Sequence, residues 1–161
     1  ESSLGDGIFN GIVFRDSGGR FGVGSDSNIH IALWEELATL DYSQRLRDLG
    51  RAAMATNDQS TGRFLFEAAA LAGAQAAGRS SGQIAEGKIA DLMAVSTDNE
   101  FLCNRLGDTV LDSLVFTGRG RGCVTDVWSA GRHMVKDGRH IHRDRIVARF
   151  IEVTNQLGQD I

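Results

Sequence analysis

The chain has 161 residues, 42% of them hydrophobic and 24% charged, a balance that marks a globular protein long enough to bury a core. Its net charge of −4 offers no basic footprint for nucleic acid or an anionic membrane surface. No apolar run approaches the roughly 18 residues that cross a bilayer.

Residues 1–20 read as loop, with glycines at 5, 7, 11, 18 and 19. Arg20-Phe21-Gly22-Val23-Gly24 is a short apolar run bounded by Gly, which predicts a buried strand ending at the polar Ser25-Asp26-Ser27-Asn28. A helix is predicted from about 32 to 54, with Leu33, Leu37, Leu40, Leu46, Leu49 and Ala53 on its apolar face and Glu35 and Glu36 in its first turn. A second begins at Ser60 or Thr61, carries Phe64, Ala68, Leu71 and Gln75 on one face, and stops at Gly78.

The pattern changes near residue 80. Residues 82–95 read as a turn and a strand, 111–116 as a second strand, and 123–130 as a third. Asp137-Gly138 between two extended runs predicts a type I′ hairpin. Ile146, Val147, Phe150, Ile151, Val153 and Leu157 then predict an amphipathic terminal helix. The first third resembles a piece of an alternating β/α domain, and residues 80–141 resemble part of a small β-sandwich or barrel.

Asp26 is the leading candidate for chemistry. A carboxylate at the C-terminal end of a buried strand stands where an α/β barrel places catalytic groups, and it can ligate a cation and exchange a proton with water. Taken locally, the same residues fit a cap for the following helix even better. Of the four histidines, His30 is close to Asp26 in sequence but reads as solvent-facing or structural. His140 and His142 form a His-x-His pair, but alternate residues after a hairpin share a face without binding anything. Cys103 and Cys123 lack metal-type spacing and read as reduced thiols of a cytoplasmic protein. Gly118-Arg119-Gly120-Arg121-Gly122 reads as a turn between strands rather than a nucleic-acid element, since the repeat is short and the chain acidic.

Several longer stretches carry a resemblance. Leu4-Gly5-Asp6-Gly7-Ile8-Phe9, Gly19-Arg20-Phe21-Gly22-Val23-Gly24-Ser25-Asp26-Ser27-Asn28, Tyr42-Ser43-Gln44-Arg45-Leu46-Arg47 and Asp98-Asn99-Glu100-Phe101-Leu102-Cys103-Asn104 are similar to the formimidoylglutamate deiminases of the amidohydrolase superfamily. The resemblance covers nearly the whole chain. It implies an α/β fold, the C-terminal fragment of a (β/α)8 barrel plus the C-terminal part of a small β-sandwich and a terminal helix. Residues 1–79 would be the last barrel units, with Asp26 at the end of strand eight, and residues 80–161 the sandwich share with the helix. It implies hydrolysis of N-formimidoyl-L-glutamate to N-formyl-L-glutamate and ammonia in histidine degradation. It also implies one divalent metal, most often zinc, with Asp26 as metal ligand and proton carrier, and a cytoplasmic homodimer acting on a small molecule.

The resemblance further calls for a His-x-His pair and two single histidines from earlier barrel strands, which this sequence does not match. Asn10 stands where Pro is common, and Glu1-Ser2-Ser3 where a Thr-Glu-Ala-Asn run is usual. The expectation is a portion of a longer enzyme, inactive alone. Two other readings stay open: a portion of another amidohydrolase, of guanine deaminase or triazine hydrolase type, or a non-catalytic β-sandwich module that binds a partner.

Overall fold

A computed structural model describes residues 4–118, 120 and 122–159. Among the described residues five α-helices run in chain order: α1 Gly11–Asp16, α2 Leu33–Asp48, α3 Thr61–Ala76, α4 Asp108–Asp112, continued by a π-helical turn Ser113–Thr117, and α5 Arg143–Gln159. The strands are β1 Leu92–Val95, β2 Val124–Ser129, β3 Arg132–Lys136 and β4 Arg139–His140. They form one antiparallel sheet in the order β1-β2-β3-β4. No described helix is long and apolar enough to cross a membrane.

The core lies among α2, α3 and the α4 segment rather than on the sheet. Leu37, Met54, Leu65, Leu102, Val115 and Cys123 are fully buried there, and the Trp34 and Phe66 rings stack at 5.6 Å. The inner face of α2 matches the predicted one at Leu37 and Leu40 and differs elsewhere. Trp34, Leu37, Ala38, Asp41 and Gln44 are buried, whereas Leu46 and Leu49 lie in solvent. Asp41 accepts the Met54 N–H at 2.9 Å and pairs with Arg45, whose guanidinium lies over the Tyr42 and Phe116 rings. The helix ends at Leu49 in a left-handed conformation, so Ala53 falls outside it.

α3 matches its predicted limits. The Ser60 side chain accepts the Arg63 N–H. The rest of the cap comes from α4: Asp112 accepts the Gly62 N–H at 2.7 Å, and Asp108 accepts the Ser60 N–H at 3.1 Å and the Arg63 side chain at 2.9 Å. Two carboxylates at a helix N-terminus suit both its free N–H groups and its dipole. This arrangement corrects the strand predicted at 111–116. A short apolar run fits either element by pattern, and Asp108 ahead of it together with Asp112 within it seat it as a helix against α3.

Two other expectations change. Residues 11–16 are helical rather than loop, because the Gln44 amide holds the chain at Gly11. Residues 20–24 form no strand, since no described segment lies beside them to share a ladder. The hairpin holds as predicted, with Asp137 at φ 50 and Gly138 at φ 72, the two left-handed residues of a type I′ turn. Next to it, His133 stacks on Trp128 at 4.6 Å and bonds Asp126 at 2.7 Å. α5 buries none of its residues, and its stripe of Ile146, Phe150, Ile151 and Leu157 faces solvent. On α2 and α3 the exposed large hydrophobic residues are Leu33, Leu46 and Leu71.

Gly62 marks the closest helix contact, since a Cβ there would come within 2.6 Å of the Asp112 backbone. Gly62→Ala is therefore expected to destabilise the chain by roughly 1–3 kcal/mol in urea unfolding. Gly73→Ala, with open space around its Cβ, is expected to gain about 0.5–1 kcal/mol.

The bonds from Ser60 and Arg63 hold the Asp108 carboxyl below its ordinary range. A carboxylate of depressed pKa stabilises the fold above its unfolded value and loses that contribution as pH falls through the folded one. Asp108→Asn is thus expected to be less stable than wild type at pH 7. The gap should close as pH drops below about 4. A gap that is constant across an acid series of melting curves contradicts this.

Candidate functional site

The Asp26 turn is hung between two helices. On one side, Arg20 donates to Gln75 of α3 at 2.9 Å and Phe21 packs on Phe64 at 6.2 Å, which lays residues 20–24 along α3. On the other side, Asn28 Nδ2 donates to Glu36 Oε1 of α2 at 2.8 Å. Between them the Ser25 carbonyl accepts the Asn28 N–H at 2.6 Å, closing a four-residue turn with Asp26 and Ser27 at its centre. Asp26 has φ 40, a left-handed conformation that Asp and Asn tolerate better than most residues.

The turn forms one wall of a cleft of about 490 Å³. Residues 4–9 form the facing wall, and Glu36, Thr39, Leu40 and Ser43 of α2 form the floor. Buried Gln44 fixes that facing wall. Its Oε1 accepts the Gly11 N–H at 2.9 Å and its Nε2 donates to the Phe9 carbonyl at 2.7 Å. Thus α2 positions both sides of the cleft.

The helix-cap reading of Asp26 does not hold. α2 starts after Ala32, with no side-chain cap, six residues beyond Asp26. The Asp26 carboxylate is exposed, accepts only the Ser27 hydroxyl at 3.4 Å, and makes no ion pair among the described residues. Its lone pairs are open to the cleft, so it fits one oxygen ligand of a cation.

The other candidates do not join it. His30 is 72% exposed, pairs with Glu35 at 2.8 Å and lies outside the cleft lining. His140 and His142 meet edge to face at 5.7 Å, with His140 Nδ1 accepting the His142 N–H. Arg119 and Arg121 lie outside the described residues, and the intervening glycines link the π-helical turn, rather than a strand, to β2. Cys123 is buried and its thiol is pushed up by burial and by Glu100, while Cys103 is exposed. Among the described residues no group of three or more His, Cys, Asp or Glu side chains is arranged to hold a metal. A catalytic zinc takes about three protein ligands, so the described residues by themselves do not complete such a site.

Glu36 and Gln44 escape a residue-by-residue reading. Glu36 reads only as a charge suited to the helix dipole. Gln44 is in phase with Leu37 and Asp41, and that phase, a polar residue on the buried side of a helix, is the signal that would have found it.

An exposed carboxylate on a turn that faces a cleft stands where α/β enzymes carry catalytic groups. The Amidohydrolase family model matches residues 2–134, and the chain belongs to that family. It is 42% identical, over 98% of its length, to formimidoylglutamate deiminase of Pseudomonas aeruginosa, of which it spans 35%. The chain thus spans about a third of the length of this curated relative. Among solved structures it matches an amidohydrolase from Brucella melitensis with a TM-score of 0.87 and 42% identity, covering 97% of this chain and 34% of that one. An adenosine deaminase from Xanthomonas campestris with bound zinc matches with a TM-score of 0.74 over 92% of this chain and 33% of that one. At 23% identity that second likeness shows the fold alone.

Because Asp26 is exposed and Asn tolerates its backbone conformation, Asp26→Asn is expected to change stability by no more than about 0.5 kcal/mol. Thermal unfolding of the 161-residue chain checks this, and a larger loss would give the carboxylate a structural role.

Proposed function

We propose that the chain serves as the C-terminal third of a family-length, metal-dependent deiminase that hydrolyses N-formimidoyl-L-glutamate to N-formyl-L-glutamate and ammonia, a step of histidine degradation. The observation that carries the reading is the Asp26 carboxylate, open to a cleft and free of ion pairs among the described residues. The 42% identity to a formimidoylglutamate deiminase supports the choice of substrate, and favours it over a guanine deaminase or triazine hydrolase activity. Residues 1–79 are read as the last barrel units and residues 80–161 as the sandwich share with α5, the α4 segment returning from the latter to cover α2 and α3.

The cation is taken to be zinc, the metal bound in the Xanthomonas campestris neighbour. When bound, a divalent cation supplies the Lewis acidity that makes water nucleophilic near neutral pH. Asp26 holds one coordination position and carries a proton on its carboxylate toward the leaving ammonia. The cytoplasm is the proposed location and a homodimer the proposed assembly.

The purified 161-residue chain is expected to show no hydrolysis of formimidoylglutamate by ammonia release, whereas the family-length enzyme turns it over and its Asp26→Asn variant does not. Turnover by the short chain, or full activity in the variant, contradicts the proposal. Turnover of guanine or a triazine in place of formimidoylglutamate moves the assignment to the other amidohydrolase.

A further inference from the structure

We infer that Glu36 and Asn28 form a positioning pair that sets the direction of the Asp26 carboxylate. The inference rests on the reading of Asp26 as a metal ligand and adds two residues that act through it.

Among the described residues Asn28 bonds through both its main chain and its side chain. Its main-chain N–H closes the turn onto the Ser25 carbonyl at 2.6 Å, and its side chain ties the turn to α2 through Glu36 at 2.8 Å. Asp26 lies inside the closed turn in a left-handed conformation, which costs energy and persists only where neighbours enforce it. Asp26 has no side-chain bond to α2 or α3, so its direction is inherited from the turn. Residues 20–24 have no strand ladder among the described residues, and the Asn28–Glu36 bond is a restraint that α2 places on the C-terminal end of the turn. Glu36 is well placed for that task. It lies in the first turn of α2, whose buried Trp34 and Leu37 on either side fix the helix in the core. An anionic acceptor also makes a stronger hydrogen bond than a neutral one.

A residue that merely supported the fold would alter stability and leave the properties of the folded enzyme alone. A positioning residue alters metal affinity and kcat in the folded enzyme. Partners that orient metal ligands typically cost roughly 10–100-fold in metal affinity or activity when removed.

The test uses the family-length enzyme, with Zn²⁺ as the probe and its release to a chelating dye as the first readout. Glu36→Ala is expected to weaken zinc binding roughly 10–100-fold and to lower kcat, with KM for formimidoylglutamate little changed. Glu36→Gln keeps an acceptor and should stay near wild type. Asn28→Asp sets carboxylate against carboxylate and should resemble Glu36→Ala. Combining Asn28→Asp with Glu36→Gln restores a donor facing an acceptor, in the reverse direction, and should recover most of the loss.

Wild-type zinc affinity in folded Glu36→Ala overturns the inference. If Glu36→Ala does not fold, the combined variant decides: zinc affinity near wild type supports the pair, and affinity as weak as that of Asn28→Asp overturns it. An enzyme that holds zinc but leaves formimidoylglutamate intact sinks the proposed substrate, while the zinc series still reads the pair. A family-length enzyme that holds no divalent metal overturns both.

Discussion

Asp41 and Gln44 are fully buried on the inner face of α2, and the segments around that helix are placed by the hydrogen bonds these two side chains make. Burying polar groups is costly unless each finds a partner. Here each does: Asp41 takes the Met54 N–H and the Arg45 guanidinium, and Gln44 takes the Gly11 N–H and the Phe9 carbonyl. Among the described residues no buried side-chain nitrogen or oxygen lacks a partner. Leaving a buried donor or acceptor without its partner typically costs about 1–3 kcal/mol. The loop after α2 is thereby fixed by Asp41, and the segment before α1 by Gln44.

The same helix connects stability to the site. Gln44 secures the wall formed by residues 4–9, and Glu36, two turns earlier, secures the turn that carries Asp26. α3 supports the approach to that turn from the other side, and α3 is itself held by the carboxylates of α4. A change at Gly62 or Asp108, far along the chain from Asp26, therefore acts on the helix against which residues 20–24 lie. The sheet stands apart from this network. Its most distinctive contact, the Trp128–His133–Asp126 group, involves no residue of the cleft.

Features fixed by local chemistry were legible in the sequence, and features fixed by distant contacts were not. Asp137-Gly138 announces its turn because two left-handed residues are needed side by side and few residue pairs supply them. Ser60 announces the start of α3 through its hydroxyl. In contrast, the apolar run 111–116 fits helix and strand alike, and the seat that decides is the N-terminus of α3, about fifty residues away. The leucines of α2 located only part of the buried face: Leu37 and Leu40 pack inward, whereas Leu46 and Leu49 do not, because further along the helix the inward face is continued by Asp41 and Gln44 with their partners. Asp26 was legible as a residue of interest, but its bland reading as a cap came first. The family-like stretches around it reversed that order, and the distance from Asp26 to the first turn of α2 removes the cap.

The central claim is that Asp26 contributes one ligand to a metal site that the rest of a family-length enzyme completes. A crystal structure of that enzyme with zinc, with the metal located from its anomalous signal, tests this most directly. The expected result is an Asp26 carboxylate oxygen about 2.0–2.2 Å from the metal, with the turn still closed by Asn28. Zinc bound elsewhere, or bound in this cleft with Asp26 turned away from it, would contradict the claim.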